Sequence, residues 1–342
     1  MAAKRRWALP LQERNRHRAK HMIFHNMKKY LLYPTGLLFV CMAFWEAISA
    51  FTPHTASALP AAATSHTAAA PHTTKTPHTL LWRISGKGLA RPSYLFGTMH
   101  ILCADDASLS DSLKKVIADC DQVYFEIDLS DMNALMSSMK YMQMSDSKKL
   151  SDLLTEQDYA KVKAYFGQHA AMLPFGMLER FKPMLISSLI EEESLSCKAT
   201  DGMEMMIMKE MHQYHKPVKG LETVEFQAGL FDSIPYDKQA KDLVNYIDSV
   251  DEYKKMTLEL ATVYKQQDLD QIDELSRKGD PGLNGYMDLL LYDRNRKWAK
   301  TLDTLLPGKS LLIAVGAAHL PGKDGVIDLL RKKGYTLDPV KN

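Results

Sequence analysis

Two histidines occupy corresponding places in the chain, each three residues after a glycine that follows an apolar stretch. His100 ends the stretch "YLFGTMH", and His319 lies in "LLIAVGAAHL". Each pattern predicts a strand that turns sharply at its glycine, Gly97 or Gly316, where the missing Cβ lets the backbone bend and a ligand approach closely. Two imidazoles presented in this way could hold a metal ion or transfer a proton.

Two carboxylates occur in the same kind of position. Glu126 interrupts the apolar pattern "VYFEIDL", and Glu222 follows "VKGL". Because ligand sites of open α/β sheets lie outside the carboxyl ends of the strands, we expect both to lie along one sheet edge with His100 and His319. Such a donor set suits Mn²⁺, Co²⁺, Fe²⁺ or Zn²⁺ with open positions for water.

This donor set predicts metal-assisted hydrolysis. Metal-bound water is a nucleophile near neutral pH, and a neighbouring carboxylate can take its proton. Arg294, in "YDRNRKW", is a candidate for stabilising the oxyanion that forms. The sequence has no HExxH, Gly-x-Ser-x-Gly or P-loop motif, so it does not match the zincin, α/β-hydrolase or P-loop classes.

The same residues also have ordinary structural interpretations. A histidine at a strand end is often only a hydrogen-bonding residue. Glu126 could simply pair with an arginine, and Arg294 could be a solvated charge beside Asp293 and Arg296.

The elements that would position these residues alternate between strand and helix. Strands are predicted at 80–85, 93–98, 122–129, 216–223, 311–315 and 335–338. Helices are predicted at 108–120 and 323–333, with mostly helical segments at 130–216 and 237–306. This order predicts an α/β fold with a mixed central sheet flanked by helices and a large helical insertion.

The N-terminal part of the chain predicts export. Residues 1–26 are a basic extension or precede the true start, and 27–58 have the order of a signal peptide, with cleavage after Ala50 or Ala58, or form a membrane anchor. Residues 59–79, rich in Ala, Thr, Pro and His, form a linker before a folded domain at 80–342. We therefore expect a periplasmic, cell-envelope or extracellular protein, with membrane attachment through this segment as an alternative.

Charge and cysteine content narrow the functional classes further. Residues 1–33 carry nine Lys and Arg against one Glu, so the remainder of this +2 chain is at −6 and offers no basic surface for nucleic acid. Cys41 falls in the expected signal peptide or anchor at 27–58. We expect Cys103, Cys120 and Cys197, which form no CxxC pair, to be buried apolar residues.

Five segments in this order resemble the TraB/GumN (TraB/PrgY/GumN) family, which includes the Tiki proteases. The segments are "LLWRISGKGLARPSYLFGTMHIL", "VYFEIDLSD", "VKGLETVEFQ", "DRNRKW" and "LLIAVGAAHLPGKDGVIDLLRKKGY". The resemblance implies a fold like that of the erythromycin-esterase and ChaN groups and a peptidase that depends on Mn²⁺ or Co²⁺. Ala318 departs from the glycine that is common in the second Gly-x-x-His motif.

The resemblance also implies roles for individual residues. Catalysis falls to His100, Glu126, Glu222, Arg294 and His319, and the metal to His100, His319 and Glu126. Glu204, in "DGMEMM", stands where relatives often have Gly-x-Asp and is expected to join the site.

Two functions follow from these expectations. The first is an exported metal-dependent hydrolase, a peptidase acting on peptides or proteins. The alternative is a non-catalytic envelope protein that sequesters a peptide or haem, since two histidines also suit a haem iron. Capture would tolerate the loss of Glu126, whereas hydrolysis would not. No sequence feature specifies an oligomeric state.

Overall fold

The computed structural model describes residues 77–169, 173–195, 197, 200–278 and 285–342. The expected signal peptide or anchor at 27–58, and the linker up to residue 76, lie outside these residues. Thr79, at the end of the expected linker, is buried and its hydroxyl donates to the carbonyl of Val340 at 2.5 Å. No helix in the described part is both long enough and apolar enough to cross a membrane.

In the part of the chain that the structure describes, eight strands form two sheets. They are β1 Leu81–Ser85, β2 Ser93–Thr98, β3 Leu102–Cys103, β4 Gln122–Ile127, β5 Thr200–Asp201, β6 Val218–Glu222, β7 Leu311–Gly316 and β8 Thr336–Val340. The main sheet has the order β6-β4-β7-β2-β1-β8, and β3 pairs with β5 in a separate ribbon.

The main sheet is mixed, as the sequence predicts. β6, β4, β7 and β2 are parallel neighbours, while β1 is antiparallel to β2 and β8. β7 is buried along its whole length, which explains why its sequence is a continuous apolar run rather than an alternating one. The four parallel strands bring their carboxyl ends to one edge of the sheet, so this is the edge where a site is expected.

Thirteen helices surround the sheet in the described residues. They are α1 Asp111–Asp119, α2 Met132–Ser137, α3 Leu150–Leu153, α4 Glu156–Gln168, α5 Phe175–Leu178, α6 Pro183–Ser194, α7 Met203–Gln213, α8 Val224–Leu230, α9 Tyr236–Asp248, α10 Val250–Lys265, α11 Leu269–Lys278, α12 Asp293–Leu305 and α13 Val326–Lys332. A π-helical turn, Asp288–Tyr292, leads directly into α12.

All the helices except α8 form within segments that the sequence predicts as helical, to within one residue, and α8 lies between two of those segments. In α1 the apolar residues Leu113, Val116 and Ile117 share one buried face, and the Ser110 hydroxyl caps the helix by accepting from the amide of Leu113. Helices dominate the chain between β4 and β7, and their apolar faces join the same buried core as the sheet. The predicted α/β fold class is therefore confirmed.

The expectation for the cysteines is wrong for two of the three. Cys103 and Cys197 form a disulfide across 94 residues, while Cys120 is free and buried as expected. An odd number of cysteines still permits one bridge, and so long a separation leaves no spacing signal to find it. The bridge ties β3 to the segment that precedes β5.

Candidate active site

The carboxyl edge of the sheet gathers four of the five predicted catalytic residues into one buried cluster. Glu126 is the penultimate residue of β4 and Glu222 the last of β6. His319 follows β7 in a short helical turn, and Arg294 reaches in from the first turn of α12. Glu126, Arg294 and His319 are 4%, 7% and 1% exposed, so their mutual contacts are shielded from water.

Arg294 lies at the centre of the cluster, and each of its guanidinium nitrogens donates to a protein acceptor. Nη2 donates to Oε2 of Glu126 at 2.5 Å and to Oε2 of Glu222 at 2.9 Å, while Nε donates to the same Glu222 oxygen at 3.0 Å. Nη1 donates to the carbonyl of Leu290 at 3.1 Å, in the π-helical turn, and lies 3.4 Å from Nε2 of His319. All three guanidinium nitrogens of Arg294 therefore have partners within the protein.

Glu126 is held in its ionised form. Burial is the largest single influence and would raise its pKa, but the positive charge of Arg294 and the other neighbouring groups together outweigh burial and lower the pKa well below the usual range. Oε1 also accepts from the amide of Gly316 at 2.9 Å, which favours the carboxylate further. Arg294 is stabilised in turn, because the two carboxylates raise its pKa although burial would lower it.

Gln227 links the two carboxylates, although little in its sequence context points to it. Its Nε2 donates to Oε2 of Glu126 at 3.1 Å and to Oε2 of Glu222 at 3.2 Å. The available signal is its position in α8, which begins just after Glu222 with Thr223 as its N-cap. Gln227 therefore lies one helical turn beyond the cap, beside the strand end.

Asn295 determines which ring nitrogen of His319 carries the proton. It is a second residue that the sequence does not single out. The amide nitrogen of Asn295 faces the carbonyls of Asp324 at 2.9 Å and His319 at 3.4 Å, so its Oδ1 is the acceptor for Nδ1–H of His319 at 2.5 Å. The lone pair of the imidazole is then on Nε2. Burial, reinforced by the charge of Arg294, lowers the pKa of His319 to about 3, so the ring is neutral at physiological pH.

His100 has a partner of its own. Its Nδ1 lies 2.6 Å from Oε1 of Glu204, and both side chains are almost fully buried. Glu204 stands in the first turn of α7, just after Gly202, where a Cβ would lie 2.5 Å from the carbonyl oxygen of His100. A glycine is therefore required for this close approach. The charge of His100 also lowers the pKa of Glu126, which brings His100 into the electrostatic environment of the cluster.

The disulfide brackets the pair of His100 and Glu204. Cys103 follows His100 by three residues, and Cys197 precedes Glu204 by seven. Between them, β3 and β5 pair in antiparallel register. Constraining a loop of this length typically adds about 4 kcal/mol of stability. The bridge thus holds together two segments that are far apart in sequence and that carry the two members of the pair.

The donor chemistry of the site suits a metal, but the arrangement does not. Nδ1 of His100 faces Glu204, and Nδ1 of His319 faces Asn295. Proteins usually orient imidazoles that coordinate through Nε2 in this way. However, no three His, Cys, Asp or Glu side chains in the described residues are grouped as a metal site would require. Arg294 approaches both Oε2 of Glu126 and Nε2 of His319. As placed, these residues do not fit a metal ion.

His319 should impose a pH dependence on stability. The unfolded chain binds a proton at this histidine near pH 6.5, whereas the folded chain binds it only near about pH 3. Its contribution to stability is present above about pH 6.5 and is lost as the pH falls towards about 3, by up to about 1.4 kcal/mol per pH unit. Glu126, whose pKa is also lowered, adds its own loss only below about pH 4.3.

Urea unfolding in the presence of EDTA at about pH 7, 6 and 5 checks this prediction within the window where His319 acts without Glu126. We expect the free energy of unfolding to fall more steeply for the wild-type chain than for His319→Gln. Equal slopes would show that the imidazole is protonated in the folded protein as readily as in the unfolded chain.

Comparison with known proteins gives one family and several distant relatives. The model of the TraB/PrgY/gumN family matches residues 80–339. The chain is 22% identical to Metalloprotease TIKI2 of Danio rerio over 321 residues, covering 76% of this chain and 60% of that protein. It is 21% identical to Metalloprotease TIKI1 of Homo sapiens over 300 residues, covering 72% and 59%. It is also 23% identical to Uncharacterized protein YbaP of Shigella flexneri over 243 residues, covering 70% and 88%.

The lengths of these matches differ. The chain spans about 60% of the length of the TIKI proteins, which is less than two thirds. No solved structure shows a significant match to the chain.

Proposed function

The chain belongs to the TraB/PrgY/gumN family, and from this membership and the buried charge cluster we propose that it is a metal-dependent hydrolase of peptide bonds. Relatives that bear the name metalloprotease support the reaction class. The observation that carries the proposal is the meeting, at one sheet edge, of two carboxylates, an arginine and a neutral imidazole whose Nδ1 is held by Asn295. Peptides or proteins would be the substrates.

We keep His100, His319 and Glu126 as the proposed metal ligands. Mn²⁺ or Co²⁺ is favoured, with Fe²⁺ or Zn²⁺ as alternatives, because imidazole and carboxylate donors suit all four. Glu126 and His319 would have to be released from Arg294 before either could coordinate an ion.

The contacts separate the roles of the two acidic residues nearest the histidines. A carboxylate whose pKa lies far below neutrality is a weak base, so Glu126 suits charge stabilisation or coordination better than proton transfer. Glu204 lies 2.6 Å from Nδ1 of His100, which leaves Nε2 of that imidazole for coordination. We therefore propose that Glu204 orients His100 as a metal ligand.

The disulfide supports the proposal of export. Disulfides persist in oxidising compartments such as the periplasm or the extracellular space and are rare in the cytosol. The bridge between Cys103 and Cys197 suits such a location. Membrane attachment through the N-terminal segment stays the alternative to cleavage of a signal peptide.

A chelation experiment tests the proposal. The purified full chain would be incubated with a mixed library of peptides after treatment with EDTA, and again after addition of Mn²⁺ or Co²⁺, with products read by mass spectrometry. We expect cleavage only after metal addition, and unchanged cleavage in the Arg296→Gln control, which alters a half-exposed neighbour of the cluster on α12. Cleavage that is insensitive to EDTA would contradict the metal dependence. Retention of peptides without cleavage would favour capture instead.

A further inference from the structure

The Cys103–Cys197 disulfide lies in a part of the fold that has a small core of its own. Ile101 and Leu195 are buried together with Cys197 packed against them, apart from the large core that the main sheet shares with the helices. The strands next to the bridge, β3 and β5, pair through two residues each. Because a two-stranded ribbon is marginally stable by itself, the covalent bond is a large part of what holds this one together.

The same ribbon places His100 against Glu204. The amide of Met203 donates to the carbonyl of Met99 at 3.1 Å, so the backbones meet directly before the two side chains do. The side chains of His100 and Glu204 are 3% and 2% exposed. Burying two ionisable groups costs solvation, which a pair recovers only in good geometry. The pair therefore depends on the surrounding chain to fix its geometry.

We propose that the disulfide gates the site. The oxidised chain holds His100 against Glu204, whereas the reduced chain keeps its fold but lets the pair separate. This inference rests on the proposed function, in which His100 acts, and on the proposed export. A chain that is still reduced before export would be inactive, and the oxidising compartment would switch it on.

The main sheet can outlast the bridge. Neither cysteine lies in that sheet, and its strands are buried in the large core. Leu102 and Met203 also reach the large core, so the two segments stay attached to the domain when the bridge opens. Reduction should therefore loosen the ribbon and the pair of His100 and Glu204 without unfolding the chain.

The cysteines suit a reversible reaction. Cys103 and Cys197 are half-buried, so a disulfide oxidant can reach them. One thiolate attacks the oxidant to form a mixed disulfide, and the other displaces it. The protein S–S bond forms, the S–S bond of the oxidant breaks, and the oxidant leaves as thiols with the two electrons and two protons. Cys120 is a poor competitor, because burial raises the pKa of its thiol.

The test compares hydrogen exchange in the oxidised full chain and in the chain reduced with dithiothreitol, both in EDTA. We expect protection at 99–104 and 200–206 to fall by about tenfold or more on reduction, because the constraint on the ribbon is lost. Protection at 122–127 and 311–316, in β4 and β7, should stay unchanged. Oxidised glutathione should restore the lost protection.

Variants extend the test to activity without a thiol reductant, which would itself bind metal ions. In Cys103→Ser/Cys197→Ser we expect the exchange pattern of the reduced chain and a fall in peptide cleavage of about 10²-fold, the loss that a misplacement of about 1 Å can cause. Cys41→Ser/Cys120→Ala removes the other two cysteines and should match the wild type in both redox states. If the serine variant folds poorly, the reduced wild type carries the test.

The outcomes separate this inference from the proposed function. Unchanged protection at 99–104 and 200–206 after reduction would overturn the gating and leave the function standing. An equal loss at 122–127 and 311–316 would also overturn it, because the bridge would then support the whole fold. Local loss of protection with no cleavage by the oxidised chain would support the gating of the pair and overturn the function.

Discussion

Replacement of Arg294 by methionine is expected to lower the free energy of unfolding by about 3–5 kcal/mol, because it leaves two buried carboxylates without their cation. Glu126 and Glu222 have side chains that are 5% and 6% exposed, and both accept from the guanidinium. Methionine keeps an unbranched apolar stem but lacks the guanidinium, so the loss should mainly reflect the missing charge. Urea denaturation in EDTA at neutral pH would measure it.

Two controls make this prediction specific. Arg296→Gln removes only surface ion pairs with Asp288, Asp293 and Asp324, which should cost less than about 1 kcal/mol. The double variant Arg294→Met/Glu126→Gln should recover part of the lost stability, since one uncompensated charge is removed with the arginine. A single Arg294→Met variant as stable as the wild type would show that the carboxylates do not need the guanidinium.

Replacement of His100 should abolish hydrolysis while the fold persists. Loss of even an outer partner of a metal ligand typically costs about 10–100-fold, so we expect kcat/KM to fall by at least about 10²-fold when the proposed ligand itself is removed in His100→Ala. The neighbouring disulfide continues to join the segments on either side of the site. Circular dichroism and thermal unfolding would establish that the variant is folded.

The asparagine variant distinguishes chemistry from structure at this position. In His100→Asn the amide nitrogen can still donate to Glu204, but the side chain lacks the imidazole nitrogen that would coordinate the ion. We expect near-native stability with lost activity. His169→Ala is the matched control, because His169 contacts Tyr165 outside the cluster, and it should retain activity. Activity in His100→Asn close to that of the wild type would assign His100 a structural role only.

Much of the fold could be predicted from patterns of apolar residues. The strands that end near Glu126 and Gly316 are buried apolar runs, and the central parallel position of β4 and β7 follows from that burial. Parallel strands bring their ends to one edge, so the proximity of Glu126, Glu222 and His319 could be expected before any coordinates. The order of the strands in the sheet accounts for this proximity, which spacing along the chain alone does not predict.

The rest of the site depends on information that a single sequence does not display. The phase of α12 after a π-helical turn decides that Arg294 points into the cluster while Arg296 lies at the surface. The amides of Gln227 and Asn295 become important only through the groups that they face. The Cys103–Cys197 bridge spans 94 residues and could not be read from spacing.

His100 was expected in one cluster with His319, and the contact that the structure supplies for it is Glu204, at 2.6 Å. In the sequence, only the family resemblance points to Glu204, and the structure places its carboxylate against Nδ1 of His100. Whether the two histidines serve one metal ion is the central question for this protein.

Metal stoichiometry answers that question most directly. The full chain, with its His100→Ala and His319→Ala variants, would be equilibrated by dialysis against excess Mn²⁺ or Co²⁺, and the bound metal would be measured by mass spectrometry. We predict about one ion per chain in the wild type and a loss of that ion in each folded variant, as a shared site requires. Retention of the full stoichiometry in both variants, or no bound metal in the wild type, would contradict a metal site built from the two histidines.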